Sequence, residues 1–453
     1  MEIKGKNILV VGMGKSGLAA TEALTFLGAH VSVYDKKGAK QIDPRLLDYL
    51  KNNNVVGFFD QEPSNLNELE LIVVSPGVPI DLPFIENARA LGIEIVGELE
   101  LAYQIGKGRY IAITGTNGKT TTTVLTGEIF KNAGRKTEVV GNVGVAVAKK
   151  ALEATDDTWL ITETSSFQLE TTINFKPVIS ALLNITPDHM DRHKTMENYA
   201  SVKGKIYANQ TKEDYFVVNF DDAESVKLIT DCKATIVPFS RKTSLEFGCF
   251  VENDQLVLKD QHGHISIICA VDELKIPGAH NLENALAAAA IAFFAGIDPA
   301  IIGRTLRTFE GVSHRLEFVE EISGVRYVND SKGTNPDASI KAIEAFKGNI
   351  ILIAGGYDKG STFEEFISSF NGKVKNLILL GKTAELIKTT AESLGYHDTI
   401  MAEDLKDGVK KASDLAKPGD IVLLSPACAS WDMYSCFEER GEDFKNNVRA
   451  LRK

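Results

Sequence analysis

Short apolar runs that end in glycine or a polar turn alternate with helical patterns along almost the whole chain, and this rhythm limits the possible folds more than any other feature. NILVVG at 7–12, HVSVYD at 30–35 and LELIVVSPGVP at 69–79 are the first three such runs. TWLITET, VISALLNIT and YFVVNF follow in the middle of the sequence. GVRYVNDS, NIILIAGG, NLILLG and DIVLLSPA come near its end. Runs without polar alternation are strands covered on both faces, and helices between them make parallel βαβ units. The expected class is therefore α/β. The pattern restarts after VGELELAYQIGKGRY and again after FEGVSHRLEFV, giving three expected domains at 1–97, 98–311 and 312–453. That count suits 453 residues at about 150 per domain. One polar stretch, 232–275, breaks the rhythm, and QLVLKDQHGHISIICA within it predicts a hairpin.

Composition removes several classes of function. The net charge is −11 and no basic tail or stripe appears, which argues against a nucleic-acid partner. Any anionic substrate must be held by locally placed lysine, arginine and backbone N–H groups. The longest apolar stretch, Ala285 to Ile297, spans 13 residues, too few to cross a bilayer. The N-terminus enters a strand directly, without a secretory h-region. Five scattered cysteines suggest neither a disulfide framework nor zinc spacing. A cytoplasmic protein without membrane insertion is expected.

Two glycine-rich turns carry the chemistry. GMGKSG has the dinucleotide pattern at Gly12, Gly14 and Gly17, with Asp35 closing the next strand. Gly12 permits the turn, Gly14 lets a pyrophosphate approach, and Gly17 lets helix pack on strand. By itself this motif fits NAD or any nucleotide diphosphate. The second turn, TGTNGKTT, follows the strand YIAIT. Backbone N–H groups from Gly115 to Lys119 can cradle phosphates, Lys119 can neutralise charge and Thr120 can reach Mg²⁺. It departs from the usual P-loop, because Ile113 stands where the first glycine would be, so the loop is short.

Polar residues at the ends of other strands extend the candidate set. Glu163 ends one strand, and NITPDHMD puts Asp188 and His189 at the end of another, where open parallel sheets bind ligands. Tyr199, Lys203 and Tyr207 share one helical face at spacings of four. A lysine there either snorkels to water or is buried as a reactive neutral amine. Lys332, Lys359 and Ser430 follow three late strands, in loops suited to binding an anion.

Taken in order, TGTNGKTT, GNVG, ETSSFQLE, NITPDHMDRH, GAHNLENALAA, SHRLE and NDSKGTNPDA resemble the Mur ligase family over essentially the whole chain. GMGKSG with SPGVP, and the terminal SPACASWDMYSCFEERG, resemble the branch acting on UDP-N-acetylmuramoyl-L-alanine and D-glutamate. The resemblance implies a Rossmann-like N-terminal domain for UDP, a central P-loop ATPase domain and a Rossmann-like C-terminal domain for the amino acid. It also implies ATP-dependent amide-bond formation in peptidoglycan synthesis by a monomer.

Carried over position by position, the resemblance assigns Gly14, Lys15, Ser16, Asp35, Lys36 and Gly77 to the uridine diphosphate end, and Asn142, Ser165 and Gln168 to the muramoyl-alanine path. Gly115, Thr116, Asn117, Gly118, Lys119, Thr120 and Thr121 would hold the ATP phosphates. Asn281 and Asn284 would read adenine, while Arg315 and Asp330 would reach the nucleotide from the C-terminal domain. Thr120, Glu163, His189 and a carbamate formed from CO₂ on Lys203 would serve two Mg²⁺ (or Mn²⁺) ions. Thr334, Lys359, Ser430 and Phe437 would hold D-glutamate, with Lys332 close by. In the implied chemistry ATP converts the alanyl carboxylate into an acyl phosphate, which the D-glutamate amine captures. Closure of the C-terminal domain would exclude water.

Overall fold

A computed structural model describes residues 1–452 apart from Asn65, Pro277, Asp358 and Lys359, and describes only the backbone of Asp191. The described residues form three sheets, each mostly or wholly parallel. The first has five strands: β1 (Asn7–Val11), β2 (His30–Asp35), β3 (Val56–Phe59), β4 (Leu71–Val74) and β5 (Glu94–Gly97). Their order is β3-β2-β1-β4-β5. The chain therefore reverses direction of travel across the sheet between β1 and β4, which opens a crevice at the strands' carboxyl ends.

The second sheet contains β6 (Arg109–Thr114), β7 (Thr137–Gly141), β8 (Trp159–Glu163), β9 (Ile179–Leu182) and β10 (Tyr215–Asn219). It continues with β11 (Thr235–Ser240), β12 (Gly248–Glu252), β13 (Gln255–Lys259) and β14 (Ile265–Ala270). β12 to β14 pair antiparallel, so the hairpin expected at 255–270 forms. The third sheet holds β15 (Glu317–Ile322), β16 (Val325–Asn329), β17 (Ile350–Ala354), β18 (Val374–Leu379), β19 (Thr399–Met401) and β20 (Ile421–Leu424). Of these, β15 and β19 were not anticipated. Their alternating or very short apolar content belongs to sheet margins rather than centres.

Burial explains why the runs become strands. In β1, Ile8 and Val10 pack with Val31, Val33 and Leu71 on one face, while Leu9 and Val11 pack with Ile72, Val74, Phe84 and Ile85 on the other. Each such side chain contributes about 1.5–3 kcal/mol when fully buried. The apolar stretch from Ala285 lies in the helix Ala279–Phe294, whose residues Ala285 to Ala292 are buried throughout. Among the described residues no helix is long and apolar enough to cross a membrane.

The first two sheets belong to one compact unit, Met1–Val271 with Glu283–Leu306; the third lies in another, Asp272–Leu282 with Arg307–Lys453. Within the first unit the helix Glu98–Ile105 joins β5 to β6 and packs against the helices Lys15–Phe26 and Val147–Glu153. Two buried carboxylates fix this joint. Glu100 accepts the backbone N–H groups of Ile173, Asn174 and Phe175, each at 2.9 Å. Glu98 accepts Ala148 N–H at 2.6 Å, while its Oε2 has no partner among the described residues.

Burial raises the Glu98 carboxyl to about 7, so the folded chain keeps a proton that the unfolded chain releases near 4.5. Stability should therefore fall as pH rises from about 4.5 to 7. A Glu98→Gln variant lacks this loss, and thermal unfolding should show it gaining on the wild type across that window by up to about 3 kcal/mol. A difference that does not change with pH would contradict the assignment.

Candidate functional site

The turn Gly115–Gly118 links β6 to the helix Lys119–Asn132 and is held by the segment after β9. Asn117 N–H donates to Asn184 Oδ1 at 2.8 Å, and Asn184 Nδ2 donates back to Asn117 O at 3.2 Å. Thr116 N–H donates to Asn184 O at 2.9 Å, and its hydroxyl donates to Thr186 O at 3.1 Å. Gly118 has φ +84°, and a Cβ there would lie 2.2 Å from Asn284 Oδ1. Asn284 also accepts the Thr122 hydroxyl at 3.2 Å, which places it against the turn. Asn281 lies on the same helix, is buried, and falls in the other compact unit.

Two lysine side chains converge on one carbonyl. Lys119 Nζ donates to Gly115 O at 2.8 Å and to Thr116 O at 2.7 Å. Lys203 Nζ, arriving from the helix Met196–Gly204, donates to the same Gly115 O at 2.8 Å and lies 4.6 Å from the Tyr199 ring centroid. Lys203 is 1 % exposed, which decides against snorkelling. Burial first, and then the Lys119 charge, push its pKa well below the usual lysine range, against an opposing pull from Asp188. The helix ends sooner than the four-residue spacing suggested, and Tyr207 stands in the 3₁₀ turn Lys205–Tyr207.

Glu163 ends β8 as expected and is buried. Its Oε1 accepts Asn142 Nδ2 at 2.9 Å, and its Oε2 has no partner among the described residues. The buried hydroxyls of Thr114, Thr121 and Thr186 also lack partners there. Asp188 and His189 do not end a strand. β9 stops at Leu182, and the pair lies on the loop beyond it, with His189 at φ +54° entering the helix Met190–His193. His189 Nε2 is 3.5 Å from Asp188 Oδ2, and its ring packs 4.7 Å from Phe167. No three His, Cys, Asp or Glu side chains among the described residues form a metal-ligand cluster. Glu163 with its spare oxygen, His189 and the Thr120 hydroxyl suit a hard divalent cation, and an oxygen borne on Lys203 would add a further ligand.

A cavity of 530 Å³ opens at the switch point of the first sheet. Gly14, Lys15, Ser16, Asp35, Lys36, Gly77 and Asn142 all line it, as the sequence motifs require. A Cβ on Gly14 would meet nothing within 4 Å, so that position faces open space. On Gly17 it would lie 1.8 Å from Gly12 O, so Gly17 serves the helix's close approach. The Asp35 carboxylate accepts Met13 N–H at 2.8 Å and Lys37 N–H at 2.9 Å, tying the glycine turn to the end of β2. Ser165 and Gln168 lie outside the cavity wall. They form a reciprocal cap on the helix Ser166–Glu170, with Ser165 N–H donating to Gln168 Oε1 at 3.0 Å. This is a capping box.

Three polar devices inside the quoted motifs were given no role from the sequence. Asn184 grips the phosphate turn. Arg192 donates to both Glu170 oxygens and to Pro76 O at 3.4 Å on the cavity wall. Arg440, four residues into the helix Phe437–Ala450, is the third. Each is a polar side chain inside a helix or loop whose partners are distant in sequence, so spacing offers no signal for it.

In the second unit, Lys332, Thr334 and Ser430 stand on loops after β16 and β20, and Phe437 begins the helix Phe437–Ala450. Lys332 Nζ lies 5.5 Å from the Phe437 ring centroid, and Thr334 N–H donates to Lys332 O at 2.9 Å. Lys359 lies outside the described residues. Asp330 accepts the Ser425 hydroxyl at 2.7 Å, and burial raises its carboxyl to about 6 despite the Arg315 charge. Arg315 Nε is buried without a partner among the described residues.

Three family models match the chain: the MurD-like N-terminal domain of Mur ligases over residues 6–97, the Mur ligase middle domain over 113–292, and the Mur ligase glutamate ligase domain over 314–428. The chain belongs to the Mur ligase family. It is 53 % identical over 456 residues to a UDP-N-acetylmuramoylalanine–D-glutamate ligase from Alkaliphilus oremlandii, covering 100 % of both chains. An enzyme of the same name from Clostridioides difficile is 47 % identical over 455 residues, again with 100 % of both chains covered. Among solved structures, a pseudomurein peptide ligase type C from Methanothermus fervidus superimposes with a TM-score of 0.61 at 18 % identity, covering 99 % of this chain and 100 % of that one. The UDP-N-acetylmuramate–alanine ligase of Thermotoga maritima gives 0.59 at 20 % identity, covering 98 % and 99 %. These structures share the fold.

The Gly118–Asn284 contact makes a measurable prediction. Gly118→Ala should lower stability to chemical denaturation by about 1–3 kcal/mol, through left-handed strain and the clash. In an Asn284→Ala background the clash component should vanish, giving a coupling of about 0.5 kcal/mol or more. Strict additivity would show that the two residues do not meet.

Proposed function

We infer that this chain is an ATP-dependent ligase joining D-glutamate to UDP-N-acetylmuramoyl-L-alanine, with release of ADP and phosphate. Full-length identity to enzymes of that name supports the substrates. The observation that carries the chemistry is the meeting of Lys119 and the buried Lys203 at the Gly115 carbonyl, within the phosphate turn. Lys119 brings a positive charge to the turn for a polyphosphate to meet, while burial favours the neutral amine of Lys203 beside it.

In this reading the 530 Å³ cavity takes the uridine diphosphate, and Asn142 faces the muramoyl-alanine arm. A carboxylate is a poor acyl donor, so its oxygen first attacks the γ-phosphorus of ATP and ADP leaves. The neutral D-glutamate amine then attacks the acyl carbon, and the tetrahedral intermediate collapses to expel phosphate. Lys119 spreads the charge of the transferring phosphoryl group. Thr120, Glu163, His189 and Lys203 are the residues suited to hold divalent cations, which would supply further neutralisation of phosphate charge.

A neutral, buried Lys203 amine can add CO₂ and lose a proton, becoming an oxygen donor. Asn281, Asn284, Arg315 and Asp330 are assigned to the nucleotide. Thr334, Lys359, Ser430 and Phe437, with Lys332, are assigned to the amino acid. The domains are proposed to divide near residues 98 and 311.

Phosphate release should require UDP-N-acetylmuramoyl-L-alanine and D-glutamate together, with ATP, in a screen of D- and L-amino acids. Release with L-alanine or a diamino acid instead would overturn the specificity. Lys203→Ala should reduce turnover by about 100-fold or more, with partial recovery in added short carboxylates. Full activity without them would remove the carbamate role.

A further inference from the structure

Arg440 is 3 % exposed and spends all of its donors on main-chain carbonyls and one hydroxyl. Its Nε donates to Ser331 Oγ at 3.0 Å. Its Nη1 donates to Cys428 O at 3.1 Å and Ala429 O at 3.3 Å, and its Nη2 to Ser331 O at 2.8 Å and Cys428 O at 3.1 Å. No acceptor in this set is a carboxylate. Burial pulls the guanidinium down to about 10, with Asp432 and Asp330 as its more distant anionic neighbours.

The placement is unfavourable for stability alone. A buried cation without a directly bonded counter-ion costs several kcal/mol of desolvation. Arg440 also stands in the first turns of the helix Phe437–Ala450, where the helix dipole disfavours positive charge. A methionine of similar length would avoid both costs. What the arginine achieves is geometric and electrostatic. β16 and β20 are parallel neighbours, and Arg440 joins the loops leaving their carboxyl ends. Ser331 adds a hydroxyl bond to Phe437 O at 2.8 Å, closing the ring of contacts. Lys332, Ser430 and Phe437 are each adjacent in sequence to a clamped group or part of this ring.

We propose that Arg440 is a positioning residue for the dicarboxylic amino acid: it fixes the spacing of the Ser331–Thr334 and Cys428–Ser430 loops and keeps an unneutralised positive charge beneath them. This rests on the reading of D-glutamate as substrate. The charge favours an anionic amino acid over a neutral one, and the clamp holds the donors on both loops in register before the substrate arrives.

Steady-state kinetics on the full-length Arg440→Met and Arg440→Lys variants, alongside the wild type, test this. The methionine variant should raise the KM for D-glutamate about tenfold or more, while the KM values for ATP and UDP-N-acetylmuramoyl-L-alanine stay within about twofold. Lysine keeps the charge but offers three donors instead of five, so it should recover part of that loss. An unchanged D-glutamate KM, or all three KM values rising together, would overturn the proposal. Should the methionine variant fail to fold, Arg440→Lys decides alone, because its D-glutamate KM must still rise selectively. A wild type that does not use D-glutamate would refute the substrate reading itself, a result visible before any variant is compared.

Discussion

The Gly115 carbonyl, shared by Lys119 and Lys203, organises the catalytic half of the molecule. It joins the end of β6 to a helix that begins some 80 residues later, through two lysine side chains that share one acceptor. Such an arrangement persists only when the surrounding structure holds both lysines in place. The Asn184 and Thr116 bonds supply that support, because they fix the turn before any ligand binds. The turn is thus preorganised by hydrogen bonds from the segment after β9, and on the proposed reading Lys119 meets the polyphosphate there.

A similar economy appears in the second unit, where Arg440 binds loop carbonyls as Asn184 binds the phosphate turn. In both places one polar side chain fixes a loop that carries neighbouring functional groups. Asn184 does so from the loop after β9 and Arg440 from the helix Phe437–Ala450, each far in sequence from part of what it holds. Substitution at an anchor is therefore expected to act on substrate affinity through geometry rather than by direct contact.

Much of the fold was legible because fully buried parallel strands are written as uninterrupted apolar runs, as in NILVV and IILIA. The strands β15 and β19 were not legible, since marginal strands carry polar residues or are very short. The lining of the nucleotide cavity was legible too, because glycine turns at strand ends have fixed spacing. Ser165 and Gln168 show the opposite case. The resemblance assigned them to the muramoyl-alanine path, and the structure adds a reciprocal helix cap that the sequence motifs did not indicate. The fate of Lys203 could not be settled from helical spacing, which supplied only its neighbour Tyr199, because its burial also depends on the turn after β6, which meets it only in the folded chain. Arg192 and Arg440 stand within NITPDHMDRH and SPACASWDMYSCFEERG, but their roles were not legible, because the Glu170 carboxylate and the loop carbonyls they bind meet them only in the folded chain.

Asn142 lines the cavity of the first sheet and donates to Glu163 at the end of β8. One amide thus borders the first-sheet cavity and touches the Glu163 carboxylate. On the proposed reading, a single side chain spans the interval between the anchored nucleotide-sugar and the acidic group, so an acceptor of another length would present its carboxyl out of step.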